Sequence, residues 1–124
     1  DKITCLGPLS AQQMKENYME TNAFVLPSTM ENSPNSLGEA MLLGTPCVAA
    51  KVGGVASLLG PEEGVLCPPA SPETLARGIC RVFALEDRAA VLGEKARAHA
   101  QVTHDPKTNL ETLLAIYRQL SEGA

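Results

Sequence analysis

Ala23-Phe24-Val25-Leu26 is an unbroken apolar run of strand length, and Pro27 stops it. A strand with one face in water alternates apolar and polar residues; one without that alternation needs cover on both faces. Cys47-Val48-Ala49-Ala50 repeats the pattern, and Gly64-Val65-Leu66-Cys67, closed by Pro68-Pro69, is a third case. Helical signals lie between these runs. Ser10 and Gln13 read as a capping box, opening a helix on which Met14 and Tyr18 share a face. Asn22 suits a left-handed cap at its end. Asn35 to Leu43 reads as a helix closed by Gly44.

Strands alternating with helices predict an α/β fold, a Rossmann-like parallel sheet with helices on both faces. Right-handed crossovers narrow this to a half-Rossmann topology. Ile3 to Leu6 adds a candidate first strand, closed by Gly7-Pro8. Val52-Gly53-Gly54 reads as a flexible turn and Val55–Leu59 as a short helical turn. Three helices follow. Ser71 caps the first, with Pro72 at its first position and an apolar face of Leu75, Ala76, Ile79, Val82 and Phe83. The second runs from Arg88 to Gln101, with Val91, Leu92, Ala96 and His99 on one face. The third starts at Asp105-Pro106 and carries Leu110, Leu113, Leu114, Tyr117 and Leu120 at helical spacing.

At 124 residues the chain has the length of one domain. Its net charge of −4 comes with no basic cluster. That argues against nucleic acid as a partner, because phosphate backbones need gathered Lys and Arg. The longest apolar candidate for a membrane span, Ala40 to Ala50, is interrupted by Gly44, Thr45 and Pro46, and falls well short of the ~20 residues required. The four cysteines form no C-x-x-C and no metal-ligand spacing. They read as buried, reduced thiols of a cytosolic protein. His99 and His104 lack a third ligand, so no metal is expected. The opening on Asp1-Lys2, without an initiator Met, predicts a piece of a longer protein.

In open parallel sheets ligands bind beyond the carboxyl ends of the strands. That rule selects three loops: Gly7–Leu9, Pro27–Asn35 and Lys51–Val55. Within the second, Ser33-Pro34-Asn35-Ser36-Leu37-Gly38 precedes and opens a helix. The first helical amides have no internal partner and favour negative charge, which makes a phosphate site. Pro34 cannot donate, so the donors would be the amides of Asn35, Ser36 and Leu37. Ordinary capping by Ser33 or Asn35 accounts for the same residues. Glu39, in the first turn, favours the helix dipole or accepts hydrogen bonds from vicinal hydroxyls. Glu31 is a solvated carboxylate or a second hydroxyl acceptor. Two carboxylates beside a phosphate-seeking helix start would repel the anion unless the ligand also carries hydroxyls. A nucleotide-sugar meets that condition.

The residues Pro27-Ser28, Glu31, Glu39-Ala40-Met41, Gly44, Pro46-Cys47-Val48, Ala50 and Gly53-Gly54 form a spaced pattern. It resembles the retaining, GT-B-fold, group 1 glycosyltransferases, as do the flanking segments over nearly the whole chain. The resemblance implies that residues 1–124 are a partial C-terminal donor-binding domain, with the N-terminal acceptor domain absent. It implies sugar transfer from a nucleotide diphosphate donor, such as a UDP-sugar, to a hydroxyl of a carbohydrate or lipid-linked acceptor, with retention of configuration. Polysaccharide or glycolipid biosynthesis would be its setting. No metal or other cofactor would be needed. Glu31 would lie by the donor sugar as the catalytic-site carboxylate, and Glu39 would bind the ribose hydroxyls. The diphosphate would be held at Ser36 and Leu37, with Ser33 and Asn35 beside them.

Glu31-Asn32-Ser33-Pro34 departs from the E-G-F-G common in the family, and Ser57 stands near a position that is often acidic. Lys51 either approaches the cleft or is solvated. The resemblance further implies a cytoplasmic parent, acting there or at the inner membrane face. The isolated chain is expected to be inactive alone and to self-associate through its last helix. A non-catalytic lobe that kept the fold is the competing reading. A dinucleotide oxidoreductase domain is a third reading, against which the lack of G-x-G-x-x-G opening a helix argues.

Overall fold

The structure, a computed structural model, describes residues 2–123. Its elements in chain order are α1 (Ala11–Glu20), β1 (Phe24–Leu26), α2 (Asn35–Leu42), β2 (Cys47–Ala50), α3 (Val55–Leu58), β3 (Gly64–Cys67), α4 (Pro72–Ala84), α5 (Arg88–Thr103) and α6 (Pro106–Glu122). The three strands form one parallel sheet in the order β1-β2-β3. Phe24 lies opposite Cys47, and Cys47 opposite Gly64.

Side chains alternate across the sheet, so each strand serves both faces. Phe24, Leu26, Cys47 and Ala49 pack with Tyr18 of α1, with Leu37 and Met41 of α2, and with Ala96 and Ala100 of α5. Val25, Val48, Val65 and Cys67 pack with Leu75, Ile79 and Val82 of α4. The unalternating strands therefore have their double cover. The helix starts follow the caps: Ser10 closes its capping box with Gln13, Ser71 accepts from the Thr74 amide, and Asp105 accepts from the Thr108 amide. Burial pushes the Cys47 thiol up to about 12, as desolvation of a thiolate requires. Cys47 and Cys67 are buried, whereas Cys5 and Cys80 are exposed, and all four are free thiols.

Several expectations need correction. Residues 2–6 form no strand, and Ile3 is 88% exposed. A strand needs a paired neighbour to satisfy its amides, and this segment pairs with none. α1 ends on Thr21 in extended backbone rather than on a left-handed Asn22. Phe83 is exposed, so the α4 face is narrower than its spacing suggests. On α5 the buried residues are Gly93, Ala96 and Ala100, while Val91 is exposed. The reason is that α5 packs on α2 at backbone distance. α6 needs no such correction: it is helical as its spacing predicts, none of its residues is buried, and Leu110, Leu113, Leu114, Ile116, Tyr117 and Leu120 are all exposed, the uncovered apolar face expected of this last helix.

A methyl group on Gly93 would lie 2.0 Å from the Gly44 carbonyl oxygen. Alanine favours a helix interior over glycine by about 1 kcal/mol. The obstruction here is backbone and cannot rotate away, so overpacking wins. Gly93→Ala is expected to destabilise the chain by about 2 kcal/mol, measured as a lower midpoint in urea unfolding.

Candidate functional site

The loops following β1 and β2 sit at the carboxyl ends of adjacent strands, and they touch. The Gly54 amide donates to the Asn32 carbonyl at 2.8 Å. Gly53 has φ +49°, and a methyl there would lie 1.6 Å from the Glu31 carbonyl oxygen. At Gly54 it would lie 2.1 Å from that of Asn32. The Gly-Gly turn is therefore a close backbone contact rather than the flexible turn its composition suggests. The third loop, at Gly7–Leu9, follows no strand, and so the carboxyl-end rule does not reach it.

The first of these loops runs directly into α2. Its N-cap is Pro34, and no side chain caps it. Capping by Ser33 or Asn35 is thus not what those residues do here. Asn35, Ser36 and Leu37 occupy the first three helical positions, where amides lack an intrahelical partner. Ser33 and Asn35 are exposed, Ser36 is half-buried, and the Leu37 side chain is in the core. Glu39 is the fifth helical residue, beyond the first turn. Its dipole interaction is correspondingly weak, since that effect fades within one turn.

Each glutamate is tied to one hydroxyl. The Ser28 hydroxyl donates to Glu31 Oε1 at 2.7 Å. The Tyr18 hydroxyl reaches Glu39 Oε2 at 3.4 Å, a long bond. Tyr18 is itself fixed: Thr45 Oγ1 donates to its carbonyl at 2.7 Å, and its ring meets Phe24 edge-on with centroids 5.6 Å apart. Burial, then the Glu39 charge and hydrogen bond, raise the Tyr18 phenol above its ordinary value.

Glu39 also lines a concavity of about 210 Å³ with Leu9, Met14, Lys15, Tyr18 and Leu43. Glu31 is not among its lining residues. A second hollow, of about 310 Å³, opens over the strand ends between Pro27, Ala50, Pro68 and Leu75. Sequence reasoning missed Tyr18, Ser28 and Lys15 as site neighbours. Ser28 lies three residues from Glu31 and was legible as a local partner; Tyr18 reaches Glu39, and Lys15 comes to line the same concavity, only through the fold.

The remaining candidates stand apart. Lys51 is exposed. His99 is paired with Glu63 at 2.7 Å, and the His104 ring packs on Gly38 of α2. Among the described residues no three His, Cys, Asp or Glu side chains converge as a metal site. Nor is any helix among them long and apolar enough to cross a membrane.

Fold and site together define a parallel α/β domain whose ligand end carries an uncapped helix start and two hydroxyl-bound carboxylates. Residues 1–99 match the family model described as glycosyl transferases group 1, and the chain belongs to that family. A D-inositol 3-phosphate glycosyltransferase of Saccharomonospora viridis is 35% identical over 120 residues, covering 96% of this chain and 28% of the relative. Among solved structures, the sucrose-phosphate synthase of Thermosynechococcus elongatus is similar with a TM-score of 0.88 and 32% identity, over 98% of this chain and 31% of the other. HepE of Anabaena, in complex with UDP-glucose, has a TM-score of 0.72 and 28% identity, over 82% of this chain and 30% of its own. The chain therefore spans under a third of each of these proteins, and its fold is that of a portion of the GT-B glycosyltransferases.

The Tyr18 phenol tests the contact with Glu39. In a Tyr117→Phe background, ultraviolet titration is expected to place the remaining phenol above its ordinary 10.0. Glu39→Gln should lower that midpoint while leaving it elevated, because burial persists. A raised phenol stabilises the fold below pH 10 and loses that contribution as pH rises through the folded value. Tyr18→Phe should accordingly reduce the alkaline loss of stability.

Proposed function

We propose that this chain is the donor-binding portion of a retaining glycosyltransferase that moves a sugar from a nucleotide diphosphate, such as UDP, to an acceptor hydroxyl. The observation that carries the reading is the uncapped start of α2 set between Glu31 and Glu39, each carboxylate already engaged by a hydroxyl. A carboxylate in that state is an acceptor for further hydroxyls. It has no attraction for a bare anion.

In this reading Glu39 accepts from the ribose hydroxyls, and the concavity beside it, walled by Leu9, Met14 and Leu43, takes the flat nucleobase. The amides of Asn35, Ser36 and Leu37, with Ser33 beside them, hold the diphosphate. Donors aimed at the leaving diphosphate stabilise charge that develops as the glycosidic bond breaks. Glu31 accepts from the donor sugar's hydroxyls at the reacting end. The chain forms part of the C-terminal domain, and the acceptor wall, for a carbohydrate or lipid-linked acceptor, belongs to an N-terminal domain. The isolated chain then binds donor without turning it over. No resident metal is needed, and the parent works in the cytoplasm or at the inner membrane face, in polysaccharide or glycolipid synthesis. UDP-glucose bound to HepE, a structure of the same fold at 28% identity, supports the donor class.

Isothermal calorimetry against UDP, GDP and ADP tests this directly. One nucleotide is expected to bind preferentially, with affinity unchanged by EDTA and reduced at least tenfold by Glu39→Ala. Equal heats for wild type and variant would refute the ribose assignment. The exposed apolar stripe of α6 supports self-association of the isolated chain. Light scattering should report a mass that rises with concentration, and Leu113→Glu with Leu120→Glu should restore a monomer.

A further inference from the structure

Glu31 sits on a loop, yet its surroundings leave it little freedom. Its carboxylate is hydrogen bonded to Ser28 at 2.7 Å, a contact within the same loop and partly buried. The peptide that follows it is pressed by the Gly53-Gly54 backbone, with no room for a methyl at either glycine. The Gly54 amide adds a hydrogen bond to the Asn32 carbonyl at 2.8 Å. That glycine turn is anchored in its own right: the Lys51 amide donates to the Cys67 carbonyl at 2.8 Å, the Val55 amide to the Val52 carbonyl at 3.1 Å, and Val55 is fully buried. A continuous line of backbone contacts thus runs from the end of β3, through the turn after β2, to the peptides on the carboxyl side of Glu31. Glu39 hangs from different supports, on α2 and against Tyr18 of α1.

We propose that Ser28 and the Gly53-Gly54 pair are positioning residues that set the Glu31 carboxylate for the sugar end of the donor, independently of the supports that set Glu39. This rests on the donor-binding reading above. Its physical basis is that a carboxylate rewards a sugar hydroxyl only when already aimed. Fixing two backbone peptides and one carboxylate oxygen pays the ordering entropy in advance. The Ser28 hydrogen bond leaves Glu31 Oε2 free of that contact and able to accept from the ligand.

Two measurements separate this proposal from the reading it rests on. The first needs no ligand: side-chain scalar couplings of Glu31 by NMR. A single χ1 rotamer is expected in the wild type and in Ser28→Thr, which keeps the hydroxyl. Averaging is expected in Ser28→Ala and in Gly54→Ala. Rotamer averaging in the wild type would overturn the proposal whatever the chain binds. The second is calorimetry with UDP and UDP-glucose. Ser28→Ala is expected to lower the ratio of UDP-glucose to UDP affinity about three- to tenfold, and Gly54→Ala at least as much. Both effects should vanish in a Glu31→Ala background, which removes the acceptor, as a double-mutant cycle requires of groups acting through one another. An undiminished effect in that background would overturn it too. Absence of any nucleotide binding would instead sink the donor reading, with the coupling measurement still deciding the positioning role. Should Gly54→Ala fail to fold, Ser28→Ala carries both tests.

Discussion

The central strand β2 is the constraint on which the rest depends. All four of its residues are buried, and it pairs with β1 on one edge and β3 on the other. A buried peptide left unpaired is costly, so β2 cannot shift without breaking two ladders. Its side chains are small, which lets α2 and α5 close on one face and α4 on the other. Everything at the ligand end inherits this rigidity. The chain leaves β2 at Lys51, is tied at once to the end of β3, and then abuts the loop that follows β1. Two loops that would be mobile alone become parts of one framework.

The electrostatics of the site follow from that framework. The chain is acidic overall, and the two carboxylates near the α2 start add to the negative field there. Such a field repels an isolated anion. The proposed donor answers that field with its hydroxyls, which would face the carboxylates while the amides face the phosphate. Tyr18 and Ser28 are neutral donors, so their hydrogen bonds to the glutamates leave the carboxylate charge in place. A lysine or arginine in either place would have made an ion pair and consumed the acceptor.

Much of the fold was legible locally. Pro27, Gly44, Pro46 and the double proline at 68–69 mark element ends by removing a donor or taking a left-handed backbone, and the caps at Ser10, Ser71 and Asp105 work within a few residues. The unalternating strands announced double cover for the same reason: burial period is a property of the strand itself. The first segment misled because its apolar residues carry strand propensity, yet propensity supplies no partner. The apolar stripe of α6 was correctly read as helical, and its exposure is consistent with a surface this chain does not itself cover.

The site divides along the same line. The sequence alone determined which residues are candidates: Glu31, Glu39 and the helix start at Asn35, Ser36 and Leu37, because spacing along one loop and one helix is a local matter. It also determined the family, through a pattern spread over the chain. Only the tertiary structure decided that Gly53-Gly54 is a contact surface and that Tyr18, 21 residues away from Glu39, is its partner. Only the tertiary structure removed the capping explanation for Ser33 and Asn35. Those are facts about which backbones approach within hydrogen-bond distance, and sheet order and helix packing set them rather than any residue's own preference.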